Sequence, residues 1–84
     1  MPLFMDVHST IPADADADAV ADAHAADLRI QGKYGTRYIN YWLDTDRRTI
    51  FCLVDAPDAE AAHAVHREAH GLVADEIYEV QQGE

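Results

Sequence analysis

"ADADADAVADAHAADLRIQGKYG", residues 13–35, decides the fold, because it reads in two ways. The strict alternation of Ala with Asp at its start imitates a β-strand. Both residue types are depleted in strands, however, and Ala is the best helix former. Asp is favoured at an N-cap and beside the positive end of the helix dipole. The spacing therefore predicts a helix from about Asp14 or Asp16 to Lys33, stopped by Gly35. Val20, Ala23, His24, Leu28 and Gln31 are its expected inner stripe. The Asp run is not a calcium loop, since it lacks the glycine and the closing Glu of an EF-hand.

With that segment helical, its neighbours fall into place. "LFMDVH" (3–8) alternates as a strand, and "STIP" ends it. "TRYINYWLD" (36–44) and "TIFCLVDA" (49–56) are aromatic and β-branched and flank "TDRR", the mark of a hairpin. Asp58 is a suitable N-cap for "AEAAHAVHREAHGLV", in which Ala62, Val65, Ala69 and Leu72 or Val73 face the core and Gly71 lies near the end. "DEIYEV" (75–80) is a last strand. The order β-α-β-β-α-β is the ferredoxin-like, split-βαβ arrangement: an α+β fold with a four-stranded antiparallel sheet and two helices on one face. The whole chain, 1–84, is expected to be one domain with an ordered core of about 3–80.

Alternation divides the sheet. Leu3, Met5, Val7, Ile39, Tyr41, Leu43, Phe51 and Leu53 are expected beneath the helices. Phe4, Asp6, His8, Tyr38, Asn40, Trp42, Ile50, Cys52 and Val54 then form the open face. So apolar a face calls for cover, and a homodimer packed sheet to sheet is expected.

Composition narrows the function. A formal net charge of −10 excludes nucleic acid and anionic membrane as partners, since phosphate recognition needs clustered Lys and Arg. No stretch is long and apolar enough to span a membrane, and "MPLFMDVHST" (1–10) lacks the basic n-region and apolar stretch of a signal peptide, so a soluble chain is expected. The single cysteine, Cys52, cannot form an intrachain disulfide, which fits a cytoplasmic protein.

Chemistry concentrates in "HAVHREAHG" (63–71). His66 and His70, at i and i+4, lie one helical turn apart; the pair by itself reads as a solvated helix face or as two ligands able to share a metal ion. "HREAH" has the histidine spacing of a metalloprotease helix, but its acid, Glu68, is in the wrong place. In this topology the second helix ends near the end of the first strand, which brings His8 towards His66 and His70, with Asp6 as a further ligand or an orienting carboxylate. Strand parity, as assigned above, points His8 away from them. Cys52 reads as a buried small hydrophobe or as a ligand. His24 with Asp27 reads as a packed histidine beside a surface acid, or as a histidine and its orienting carboxylate. Imidazole and carboxylate together suit nickel, zinc, copper or iron. A second function class also fits: a small-molecule enzyme or ligand-binding module whose cavity is lined by Asp6, His8, Tyr38 and Trp42, with His8 as general base. No catalytic serine triad, phosphate-binding glycine loop or dinucleotide fingerprint occurs.

"MDVH" (5–8), "AHAAD" (23–27), "KYG-RY--YW-D" (33–44), "FCLV-APD" (51–58) and "VHREAHGLVADEIYEV" (65–80) occur together in this order. The set resembles the family of small bacterial nickel-binding proteins with a ferredoxin-like fold, first catalogued as a domain of unknown function. The resemblance implies a homodimer that binds nickel and has no established catalytic reaction. Its ligand-type positions fall on Asp6, His8, Cys52, His66 and His70. His63 lies outside the matched motifs.

Overall fold

The computed structural model describes residues 2–83. Its elements are β1 (Leu3–His8), α1 (Ala17–Ile30), a 3-10 turn (Gln31–Tyr34), β2 (Arg37–Asp44), β3 (Thr49–Asp55), α2 (Ala59–Ala69) and β4 (Glu76–Val80). The strands form one sheet in the order β2-β3-β1-β4, every neighbouring pair antiparallel. This is the expected ferredoxin-like α+β arrangement. Among the described residues, no helix is long and apolar enough to cross a membrane.

The ambiguous Ala-Asp run is helical from Ala17. Asp16 caps it, its carboxylate accepting the Ala19 N–H at 2.9 Å, so one acid of the alternating series satisfies a free donor of the first turn. After Ile30 the helix tightens into the 3-10 turn, and Gly35 ends it in the left-handed conformation with φ 64°. Asp58 caps α2 in the same manner, accepting from Ala61 N–H at 2.8 Å. At the other end of α2 the N–H groups of His70 and Gly71 both reach the His66 carbonyl, and Gly71 turns the chain away at φ 82°. Leu72 and Val73, expected in the core, lie beyond this stop and are exposed.

The sheet faces are the reverse of the expected assignment on β1 and β3. Phe4, Asp6 and His8, with Ile50, Cys52 and Val54, are buried beneath the helices, and Leu3, Met5, Val7, Phe51 and Leu53 are on the other side. An acid and a histidine are costly to bury alone. They are not alone here: α1 and α2 bring polar partners to them. A register shift between Tyr38 and Asn40 then changes the parity within β2. Tyr38 pairs beside Val54 under the helices, whereas Asn40 and Trp42 pair with Leu53 and Phe51 on the open side. Beyond the shift, Tyr41 and Leu43 pair with Cys52 and Ile50, and so do lie beneath the helices as expected.

Arg48 ties the β2–β3 turn to the segment between β1 and α1. Its backbone takes φ 53°, and its guanidinium reaches the carbonyls of Ile11, Pro12 and Ala15. That contact seats Ile11 in the core, where it is 9% exposed. Along the inner side of α1, Val20 and Asp27 are buried, while Leu28, expected to point inward, is 44% exposed.

Two substitutions measure these assignments by chemical denaturation. Val54→Ala, at a fully buried position, is expected to cost about 2 kcal/mol or more. Asp58→Ala removes the α2 cap and is expected to cost about 1 kcal/mol. A negligible effect of Val54→Ala would mean that the helices cover the opposite face.

Candidate metal centre

Four elements meet at one buried point. Strand parity aims Asp6 and His8 inward from β1, and antiparallel register sets Cys52 of β3 directly beside Asp6. α2 supplies His66 and, one turn later, His70; α1 supplies Asp27. Asp6, His66 and Asp27 are 0%, 1% and 2% exposed.

The hydrogen bonds fix the protonation pattern. Asp6 Oδ2 accepts from the Tyr38 hydroxyl at 2.8 Å and from His66 Nε2 at 3.0 Å. His66 Nδ1 donates to Asp27 Oδ1 at 2.9 Å. With a carboxylate at each nitrogen, the His66 ring carries both protons and is an imidazolium. His70 differs. Its Nδ1 accepts the Leu72 N–H at 3.1 Å, so its proton is on Nε2, 3.0 Å from Asp27 Oδ1. The Asp6 Oδ1 atom is buried without a hydrogen bond, and His8 Nε2 stands 3.3 Å from it. The His66 ring is also packed between His8, Tyr38 and His70, with centroids 4.9, 4.7 and 5.0 Å away.

These contacts reset the acidities. Burial alone would lower the His66 pKa, but the hydrogen bonds and charges of Asp27 and Asp6 outweigh it and hold the ring at about 9. For Asp6 and Asp27, burial works upward and is overcome by hydrogen bonds from the imidazoles, so both carboxyls lie below their usual range. Burial, then the Asp6 charge, pushes the Tyr38 hydroxyl and the Cys52 thiol well above their ordinary values.

Two donor sets share His66. Asp6, His8, Cys52 and His66 form one, and Asp27, His66 and His70 the other, the ligand-type atoms within each lying no more than 4.8 Å apart. The structure thus brings Asp6, His8, Cys52 and His66 together on one side of the imidazole and places His70 on the other. The objection from strand parity disappears with the reversed faces. Asp27 was read only as a partner of His24; instead it binds His66 and His70, while His24 stacks on Tyr41 at 4.7 Å. One signal marks it: Asp27 lies seven residues after buried Val20, on the same side of the helix. Glu68 takes no part. Lys33 and Tyr34 hold it at the exposed surface, at 3.0 and 2.6 Å. The expected cavity of Asp6, His8, Tyr38 and Trp42 does not form, because Asp6, His8 and Tyr38 turn beneath the helices while Trp42 lies on the open face as expected, 50% exposed.

The triad sets the pH range of the metal-free protein. A histidine raised from 6.5 to about 9 on folding stabilises fully below pH 6.5, and its contribution fades as the pH rises to about 9. The lowered carboxyls contribute above their unfolded value of 3.8, and that contribution fades as the pH falls below it. Thermal unfolding of chelator-treated protein is therefore expected to peak between about pH 4 and 6.5 and to decline towards pH 9. A melting temperature that rises from pH 6.5 to 9 would contradict the imidazolium.

No functionally curated protein matches the chain. Among solved structures, the crystal structure of SCO4226 from Streptomyces coelicolor A3(2) matches with a TM-score of 0.88 and 38% identity, covering 98% of this chain and 99% of that one. Residues 4–80 match the family described as Nickel responsive protein SCO4226-like, and the chain belongs to that family.

Proposed function

We propose that this chain binds a divalent transition-metal ion, nickel in the first instance, through Asp6, His8, Cys52 and Nε2 of His66, and serves to sequester, buffer or sense it. The observation that carries the reading is the buried, unbonded Oδ1 of Asp6 amid an imidazole, a thiol and a second imidazole. Metal–ligand bonds of about 2.0–2.3 Å place two donors on one ion roughly 3–4.5 Å apart. The Asp6–His8 and Asp6–His66 contacts, at 3.3 and 3.0 Å, fit that spacing. Nitrogen, oxygen and sulfur donors suit nickel, zinc or copper, and the family description favours nickel.

In this assignment His66 gives up its Nε2 proton on binding and keeps Nδ1–H on Asp27. Asp27 then orients the ring, and His70, hydrogen-bonded to the same oxygen, steadies Asp27. The ion supplies a Lewis-acidic centre; no catalytic step is assigned to it. The second donor set offers a different placement, on the Nδ1 side, with His70 as a ligand.

The active form is proposed to be a cytoplasmic homodimer. The open face carries Trp42 and Phe51, 50% and 37% exposed, beside Leu3, Met5 and Leu53. A second copy packed there would remove an apolar patch from water.

Titration calorimetry of tag-free, chelator-stripped protein with nickel and zinc tests the site. Near-stoichiometric nickel uptake is expected, unchanged by His63→Ala and lost in His8→Ala. His70→Ala, which only loosens Asp27, should cost about 10–100-fold. A loss in His70→Ala as complete as in His8→Ala would move the ion to the Nδ1 side. Weak, salt-sensitive uptake common to all four proteins would reduce the effect to an acidic surface. Sedimentation equilibrium tests the assembly: twice the 9.3 kDa chain mass is expected, and Trp42→Asp should give monomer.

A further inference from the structure

A cavity of about 230 Å³ lies between the sheet and α1, directly against the donor cluster. His8, Cys52 and His66 are on its wall, so three of the four proposed ligands border the same space. The rest of the wall is chiefly apolar, with Ile11, Val20, Ile50, Leu72 and Val73. At the rim, Leu72 and Val73 are 48% and 38% exposed, although they belong to the short segment that also holds His70 through its backbone.

Closed structural metal sites are walled in by protein, whereas sites that exchange ligands keep a position facing a cavity. Here the four proposed donors are all buried, yet three of them border the cavity, so an outside molecule would enter as a fifth ligand on an ion that expands its coordination. A cavity near 150 Å³ lined by aliphatic side chains is enough to hold benzene. The space here therefore suits a single ring with a small substituent. Charge selects the head group. Asp6 and Asp27 together bring −2, which a divalent ion cancels; Asp75 on the cavity wall then takes the sum to −1, and a thiolate at Cys52 would take it to −2. An anionic head finds no surplus positive charge there, so a neutral donor is favoured.

From this placement we infer that the cavity receives an outside ligand for the bound ion: a small aromatic or branched molecule with a neutral nitrogen donor, its apolar body against Ile11, Val20 and Leu72. The inference rests on the metal-binding reading and adds to it a second, organic component. The metal site becomes a place where an ion and a small heterocycle are held together.

The test uses full-length protein, first loaded with nickel and then titrated with imidazole, 4-phenylimidazole and benzoate while the nickel ligand-field absorption is followed. The expected result is spectral change with both heterocycles, 4-phenylimidazole binding at least tenfold tighter, and none with benzoate. Val73→Trp, which narrows the rim at an exposed position, should abolish the tenfold preference and leave nickel uptake unchanged; Leu72→Trp, at a residue that would touch the ligand, should abolish the preference as well. Equal affinity for the two heterocycles, a preference that survives both tryptophans, or an unaltered nickel spectrum would overturn the inference while leaving the metal centre intact. Tight binding of 4-phenylimidazole to metal-free protein, seen in the methyl resonances of Val20 and Ile11, would overturn the co-ligand role and make the cavity an independent site. Failure of nickel loading would show in the first titration and would remove both readings together.

Discussion

The structure depends on one buried ionic arrangement, in which the His66 imidazolium bridges the carboxylates of Asp6 and Asp27. It joins β1, one of the two central strands, to both helices through three side chains that solvent does not reach. Breaking such an arrangement by deleting one member costs about 3–5 kcal/mol, because the remaining charges stay buried without compensation. That cost fixes which side of β1 the helices must cover. Covering the aliphatic side instead would leave Asp6 and His8 facing water and His66 without its Asp6 partner.

The same interaction explains why the fold was legible while its faces were not. Element order follows from local chemistry: Asp16 and Asp58 as caps, Gly35 as a stop, aromatic and β-branched runs on either side of "TDRR". Each of these acts over a few residues and can be read from a few residues. Which face a strand buries is decided by what the helices bring to it. Here α1 and α2 bring Asp27 and His66 from distant positions, so the usual expectation that polar groups face outward fails on β1. The register shift at Tyr38 and Asn40 adds a second reversal, and no glycine or proline announces it.

The candidate centre was accordingly legible as a set of residue types, and its wiring was not. Asp6, His8, Cys52 and His66 belong to separate motifs that topology draws together. Asp27 reads from sequence as a partner of His24 because it sits in an alanine-rich helix whose other acids are at the surface, but His24 stacks elsewhere. Its spacing from Val20 sets it apart from Asp18 and Asp22, but only the His66 ring across the helix pair gives it a role.

The two protons on His66 act as a placeholder. Small metal proteins that lack such a device depend on the ion for folding and collapse when it leaves. Here a monovalent occupant already neutralises part of the carboxylate charge and keeps the donors in position. In the proposed site, arrival and departure of a divalent ion would thus be an exchange of one cation for another, a proton for a metal, between the same carboxylates.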